Sequence, residues 1–320
     1  MASGVAGSGL RAPIGVFDSG LGGLTVVAAL RRRLPGEHIV YFGDTARVPY
    51  GSKSPETVTR FALENCKFLR RFRPKLIVAA CNTASAASLD ALREALPIPV
   101  CGVVEPGAAA AVHRARTTGR KPAAIAVVAT ESTVASCAYP QAIRRLDPTL
   151  PVSQRPCPLL VPLVEEGRSP SDPIVRLTLT DYLGPLAALE PSVVLLGCTH
   201  YPLLADAVAD VMGQAVAVVD SAQATASTVA HTLAAADLLS DAADGGTLRC
   251  YVSDNPQRFT AIGSRFLGEP LGSVAWISPD QFLGLEPPTI RLGAARPDRA
   301  IRLGARLSEQ ARSTLGSGDG

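Results

Sequence analysis

Seven short apolar runs, at residues 14–17, 39–42, 76–80, 100–103, 125–128, 193–196 and 217–219, are rich in β-branched side chains and bounded by Gly, Pro or Asp. Between them lie Ala-, Leu- and Arg-rich segments of helical length, among them 24–34, 55–72, 84–95, 106–117 and 221–239. A strand with one face in water alternates apolar and polar residues. These runs are continuous, so they need cover on both faces, and parallel sheets flanked by helices provide it. The predicted class is α/β. At roughly 100 to 200 residues per domain, a chain of 320 residues makes about two domains, each large enough for its own core.

A weak internal repeat sharpens this expectation. The run from Leu76 to Thr83 (LIVAACNT) is similar to the run from Val193 to His200 (VVLLGCTH): an apolar strand that ends in Cys and two polar residues. The strand from Ile14 to Ser19 has a counterpart in Ile125 to Glu131 at a similar offset. Two copies of one αβ unit follow, giving two pseudo-symmetric domains. Ligands of open parallel sheets bind beyond the carboxyl ends of the strands. The active site is therefore expected in the interdomain cleft, with Cys81 and Cys198 facing each other across it.

Composition excludes several classes. With 47% hydrophobic and 18% charged residues and a mean hydropathy of +0.21, the chain is not disordered. No apolar run approaches the roughly 18 residues of a membrane helix. The start, MASGVAGSGLRAP, lacks a basic segment followed by an apolar one and does not read as a secretory signal, so a cytoplasmic location is expected. The net charge of +3 is carried by the tail from Pro287 to Gly320, where six Arg face Asp298, Glu309 and Asp319. That footprint is too small for a nucleic-acid arm, and neither nucleic acid nor membrane is expected as a partner. The seven Cys are dispersed, odd in number and without a C-x-x-C pair, which is the pattern of free thiols. For Cys66, Cys101, Cys137, Cys157 and Cys250 a packing role is expected, since free Cys usually behaves as a small buried apolar side chain.

Cys81 and Cys198 differ from the other five. A thiol at a strand end facing a helix N-terminus has its thiolate favoured by the helix field, and each is followed by hydrogen-bonding residues, Asn82 and Thr83 or Thr199 and His200. Two thiols on opposite faces of a ligand permit one specific reaction. One takes a proton from a carbon, the other supplies a proton from the far side, and the centre inverts. Zinc held by Cys81, Cys198, His200 and an acid ranks below this reading, because a structural zinc site usually draws on closer ligand pairs. The Gly-rich turn from Asp18 to Thr25 follows a strand and opens a helix, yet it lacks the third Gly of a dinucleotide fingerprint, and Asp18 would oppose a pyrophosphate. Its N–H groups suit a carboxylate. A pyridoxal-phosphate mechanism needs a Schiff-base lysine, and of Lys53, Lys67, Lys75 and Lys121 only Lys53 lies near a motif.

Six blocks in order then resemble the glutamate racemase family: 15–26 (GVFDSGLGGLTV), 41–54 (YFGDTARVPYGSKS), 80–85 (ACNTAS), 102–107 (GVVEPG), 157–167 (CPLLVPLVEEG) and 196–203 (LGCTHYPL). The resemblance spans about 14–282. It implies an enzyme that needs neither cofactor nor metal and supplies D-glutamate for peptidoglycan. By resemblance, Cys81 and Cys198 are the proton-transfer residues. Asp18 assists Cys81, with Asp44 a further acid nearby, and His200 and Glu165 assist Cys198. Substrate contacts fall to Asp18, Ser19, Tyr50, Gly51, Asn82, Thr83, Thr199 and His200. Bland readings stand beside these: Glu165 as a helix N-terminal residue after Pro162, His200 as a structural histidine, Tyr50 as a turn residue. The chain departs from the family at Ser132, where Gly is usual, at Gln223 for Glu and at Leu160 for Phe.

The expectation is a cofactor-independent racemase of glutamate acting as a homodimer. Its first domain comprises 1–107 plus 211–286, its second 108–210, and a flexible basic tail covers 287–320. Two alternatives stay open: a racemase of a related acid such as aspartate, and a racemase-like regulator that binds DNA gyrase.

Overall fold

A computed structural model describes residues 10–119, 123–240, 242 and 245–283; the predicted tail and the first nine residues of the N-terminal extension lie outside them. Among the described residues, ten strands form two sheets. The first contains β1 (Ile14–Asp18), β2 (Ile39–Gly43), β3 (Leu76–Ala79), β4 (Val100–Gly102), β9 (Leu248–Val252) and β10 (Val274–Trp276) in the order β10-β9-β2-β1-β3-β4. The second contains β5 (Ile125–Ala129), β6 (Val152–Pro156), β7 (Val193–Gly197) and β8 (Ala217–Asp220) in the order β6-β5-β7-β8. Every pairing is parallel.

The order β2-β1-β3-β4 in one sheet is matched by β6-β5-β7-β8 in the other, so the repeat read from the sequence is a repeat of topology. The central strands β1, β2, β5 and β7 are buried along their whole length, as their unbroken apolar character requires. In each copy the order reverses between the first and third strands, where ligands of such sheets bind.

All seven apolar runs are strands. Three further strands escaped the pattern, each for a physical reason. β6 (VSQRP) is a half-buried edge strand of the second sheet, β9 carries a polar start, and β10 is three residues long at an edge of the first sheet. The return of the chain to the first sheet is direct, with Ile39 opposite Leu248. One boundary differs from the reading: β8 pairs with β7, Val193 opposite Ala217, so the second sheet continues past residue 210. Apolar periodicity marks a strand but carries no information about which sheet it joins.

Helices α1 (Leu24–Arg33), α2 (Pro55–Leu69), α3 (Asn82–Ala95), α4 (Val104–Thr117), α5 (Glu131–Ala135), α6 (Ala138–Leu146), α7 (Leu160–Glu165), α8 (Pro173–Ala187), α9 (Ala205–Met212), α10 (Ala222–Ala235) and α11 (Pro256–Leu267) lie between the strands, and α12 (Pro279–Leu283) follows β10. Helix α1 buries Leu24, Val26, Val27 and Leu30 and ends in Arg31, Arg32 and Arg33, where cations oppose the partial negative charge of the C-terminus. Ser54 caps α2 by accepting from the Thr57 N–H at 3.3 Å, with Pro55 in the first turn, the preferred place for both residue types. No described helix is long and apolar enough to cross a membrane.

The largest apolar cluster runs without a break from the first sheet (Val16, Val78) to the second (Val128, Leu196), so the two units share one core. A buried ion pair braces the N-terminal side. Lys75 Nζ lies 2.6 Å from Glu37 and donates to the carbonyls of Leu10 and Leu238, each at 2.7 Å. Removing one partner of such a pair leaves an uncompensated buried charge, at a cost of about 3 to 5 kcal/mol.

Six of the seven thiols are buried, but Cys137 is exposed, in left-handed backbone at φ 53° before α6. The packing role expected for Cys137 is thereby corrected: it sits at a helix junction on the surface. Burial pushes the thiols of Cys66, Cys157 and Cys250 up to about 12. The unfolded chain releases these protons first, so their stabilising contribution is intact below about pH 8.5 and is lost as pH climbs toward 12. Each thiol contributes a slope of about 1.4 kcal/mol per pH unit in that window. Cys66→Ala should flatten the alkaline decline of unfolding free energy by about one such slope, measured by urea melts at several alkaline pH values; an unchanged slope refutes this.

Candidate active site

The site is built from the carboxyl ends of strands in both sheets. A cavity of about 380 Å³ is lined from one side by Ser19 after β1, Cys81 after β3 and the loop at Tyr50 and Gly51, and from the other by Thr130 after β5, Glu165, and Cys198 with His200 after β7. Cys81 and Cys198 occupy equivalent points of the two topological copies and open onto this one space.

Two glycines let the halves approach. A Cβ on Gly22 would stand 2.1 Å from Thr199 Oγ1 and 2.6 Å from His200 Nδ1, and one on Gly51 would stand 2.8 Å from Thr130 Cβ. Hydrogen bonds cross at the same places. Thr25 Oγ1 donates to the Thr199 carbonyl at 3.3 Å, and the Ser132 N–H donates to the Gly51 carbonyl at 3.0 Å. Ser132, the departure from Gly, thus joins the two halves through its backbone.

On the first side Cys81 is the N-cap of α3, and its Sγ lies 3.7 Å from Ser19 Oγ. Its thiol is nonetheless pushed up to about 12. Burial is the main cause and the charge of Asp18 adds to it, outweighing bonds from the Ala84 N–H and Ser19. The helix field expected to favour the thiolate therefore loses to desolvation. Asp18 is itself buried; its Oδ2 accepts from the Gly20 N–H at 2.9 Å while Oδ1 has no hydrogen-bond partner. Burial raises its pKa, against the charge of His200 and the turn N–H groups of Gly20, Gly23 and Ser19.

The second side is governed by a cation. His200 Nδ1 is 3.9 Å from Cys198 Sγ, and Nε2 is 3.0 Å from Glu165 Oε1. Burial works to lower the imidazolium pKa, but bonds to Cys198 and Glu165 and the charges of Cys198 and Asp18 push it up to about 10. His200 is thus an imidazolium at neutral pH. For Glu165 burial raises the pKa, yet His200 and Arg258 outweigh it and hold the carboxyl below its ordinary value. Glu165 is the last residue of α7, not an N-terminal one. The helix dipole there disfavours a carboxylate, so its charge is sustained by the two cations.

The other candidates divide. Tyr50, Gly51, Asn82, Thr83 and Thr199 line the cavity. Asn82 Nδ2 donates to Tyr139 Oη at 2.7 Å, and Thr83 Oγ1 shares hydrogen bonds with Thr130 (2.9 Å) and Thr133 (3.2 Å). Asp44 stands behind the wall. It accepts from Tyr50 Oη, from Arg47 Nε at 2.7 Å and from Ser253 Oγ at 3.1 Å. Sequence reasoning gave no role to Tyr139, Arg258 or Phe266. Thr130 was within reach, because the repeat aligns its strand end with that of Ser19; a lone Arg at a helix start offers no comparable signal. Among the described residues no cluster of three or more His, Cys, Asp or Glu is arranged to hold a metal ion.

The chain as a whole is similar to several known proteins. A family model described as Asp/Glu/Hydantoin racemase matches residues 22–229, a span that ends before α11. A glutamate racemase of Geobacter metallireducens is 49% identical over 267 residues, covering 83% of this chain and 96% of the relative. The crystal structure of glutamate racemase from Thermus thermophilus in complex with beta-chloro-D-alanine is similar at 46% identity and TM-score 0.75, covering 85% of this chain and 99% of that one. The enzyme of Francisella tularensis in complex with D-glutamate is similar at 36% identity and TM-score 0.77, covering 84% and 98%.

The charge of Asp18 helps to raise the pKa of Cys81, so its removal has a definite sign. In Asp18→Asn the Cys81 thiol ionises at lower pH, and a pKa lower by one multiplies the thiolate fraction by about ten. Iodoacetamide should alkylate Cys81 roughly threefold to tenfold faster at mildly alkaline pH, read by peptide mass spectrometry. A rate equal to or below that of the unmodified chain refutes the coupling.

Proposed function

The chain belongs to the Asp/Glu/hydantoin racemase family, and we propose that it interconverts L-glutamate and D-glutamate by proton transfer between two thiols, without a cofactor, supplying D-glutamate for peptidoglycan. The observation that carries this reading is one cavity with Cys81 on one wall and Cys198 on the other.

The chemistry follows from the groups at hand. With the α-carbon between the sulfurs, the thiolate of one Cys takes the α-proton and the electron pair spreads into the adjoining carboxylate. The opposite thiol delivers its own proton to the other face, so one S–H forms as the other breaks and the centre inverts. The α-proton is weakly acidic, and the developing charge needs donors already in place in a water-poor site. The first-turn N–H groups of α3 at Asn82 and Thr83, which have no intrahelical acceptor, and the hydroxyls of Ser19 and Thr199 are suited to this. Among the lining residues His200 is the one cationic side chain, so dipoles do most of the anchoring.

Each thiol has its own proton partner. Cys81 rests as a thiol, and the open Oδ1 of Asp18 is the acceptor that lets it become a base. The imidazolium of His200, held by Glu165, stands beside Cys198 and exchanges a proton with it. Tyr50, fastened by Asp44 and by Asn65 Nδ2 at 3.1 Å, holds its loop in place as part of the cavity wall. An aspartate racemase would use the same thiols, and comparing rates on L-glutamate and L-aspartate separates the two. A regulator that binds DNA gyrase without racemising is not favoured, since it has no need of both thiols in one cavity. The same reading has the enzyme in the cytoplasm as a homodimer; sedimentation as a single copy counts against the dimer.

Incubating the purified chain with L-glutamate in heavy water, with no cofactor added, should yield D-glutamate carrying deuterium at the α-position. Cys81→Ser and Cys198→Ser should each lose about 100-fold or more in kcat. If either serine variant keeps the full rate in both directions, the two-thiol mechanism is wrong.

A further inference from the structure

Helix α11 belongs to the first sheet's side of the molecule, yet it meets the Cys198 side at three points. Arg258 Nη2 lies 3.7 Å from Glu165 Oε2, Arg265 Nη1 donates to the Val164 carbonyl at 3.2 Å, and the Phe266 ring meets His200 edge-on at 5.1 Å. The start of α11 is fixed as well: Asn255, in left-handed backbone, caps it by accepting from the Arg258 N–H at 3.0 Å. Glu165 forms a partition. It lines the substrate cavity and also a smaller outer cavity of about 190 Å³ that contains Arg258 and Asp254.

We propose that Arg258 is a positioning residue for the Cys198 half of the reaction, reaching across from the first unit to hold the Glu165 carboxylate ionised and in line with His200. The inference rests on the racemase reading of the site. The chain of contacts runs Arg258, Glu165, His200, Cys198, and exposure falls along it from half-exposed Arg258 through partly exposed Glu165 to buried His200 and Cys198. Glu165 needs this support because it closes α7, where the helix dipole opposes a negative charge. The charged groups around it are His200 from the loop after β7, Arg258 from α11, Asp254 in the outer cavity, and Glu166 next to it in the chain, 4.0 Å from Arg258. Once Arg258 is removed, His200 is the remaining cation in contact, the carboxyl takes up a proton more readily, and His200 loses its anionic partner as pH falls. Arg258 is half-exposed and its bond is long, so the effect is that of a partly screened pair.

The test is the pH profile of kcat/KM for L-glutamate. In Arg258→Gln the acid limb should move up by about half a pH unit, and Arg258→Lys should return it most of the way. In a Glu165→Gln background, Arg258→Gln should have no further effect, because the group it acts through is gone. Arg265→Gln, which removes a contact to backbone only, should leave the limb where it is. An unmoved limb in Arg258→Gln, or an equal loss in both backgrounds, overturns the proposal. A wild-type chain that does not racemise glutamate overturns the proposed function instead. Arg258 is then judged by the His200 ring resonances, whose low-pH inflection from Glu165 should still move up in Arg258→Gln.

Discussion

The contact between Gly22 and the pair Thr199 and His200 sets the scale of the whole site. Two parallel sheets, each able to hold only one thiol at its third strand's end, make a common cavity only if their strand tips meet almost backbone to side chain. A turn without a Cβ at position 22 permits that distance; Thr25, Ser132 and Gly51 then lock it with bonds that cross between the halves. The shared core beneath, continuous from Val16 to Leu196, joins the two units below the site.

The site's electrostatics follow from how dry it is. Desolvation is the largest single influence on Cys81, Asp18, Glu165 and His200 alike. The outcome differs because the neighbours differ. Around Cys81 the nearest charge is negative and both groups are driven toward their protonated forms. Around His200 the neighbours are anionic or sulfur, and the imidazolium persists. A single dielectric environment thus yields an acid-leaning half and a cation-bearing half, which is the asymmetry a proton relay needs.

Much of this was legible in the residues. The strands that carry the site, β1, β3, β5 and β7, are buried on both faces, and that double burial writes an unbroken apolar run. The two Cys could be singled out because a repeat in the sequence became a repeat in strand order. What stayed illegible lies at edges and across the cleft. A half-buried strand such as β6 has no run to show, and the sheet that β8 joins is a matter of tertiary packing. The bland alternative for Glu165, an N-terminal helix residue after Pro162, fails because the helix begins two residues earlier and Glu165 ends it. Arg258 reaches its partner across nearly a hundred residues of chain, a relation that no local pattern encodes.

The two-fold likeness of the strand orders stops short of the side chains. L- and D-glutamate are mirror images of equal free energy, so the ratio of kcat/KM in the two directions is held at one. Nothing holds the individual terms. In the proposed mechanism Asp18 serves one thiol and the His200–Glu165 pair the other, which poises the resting protein differently toward each enantiomer. Turnover number and Michaelis constant are therefore free to be high together for one enantiomer and low together for the other: a near-symmetric scaffold carries an enzyme with a preferred idle state.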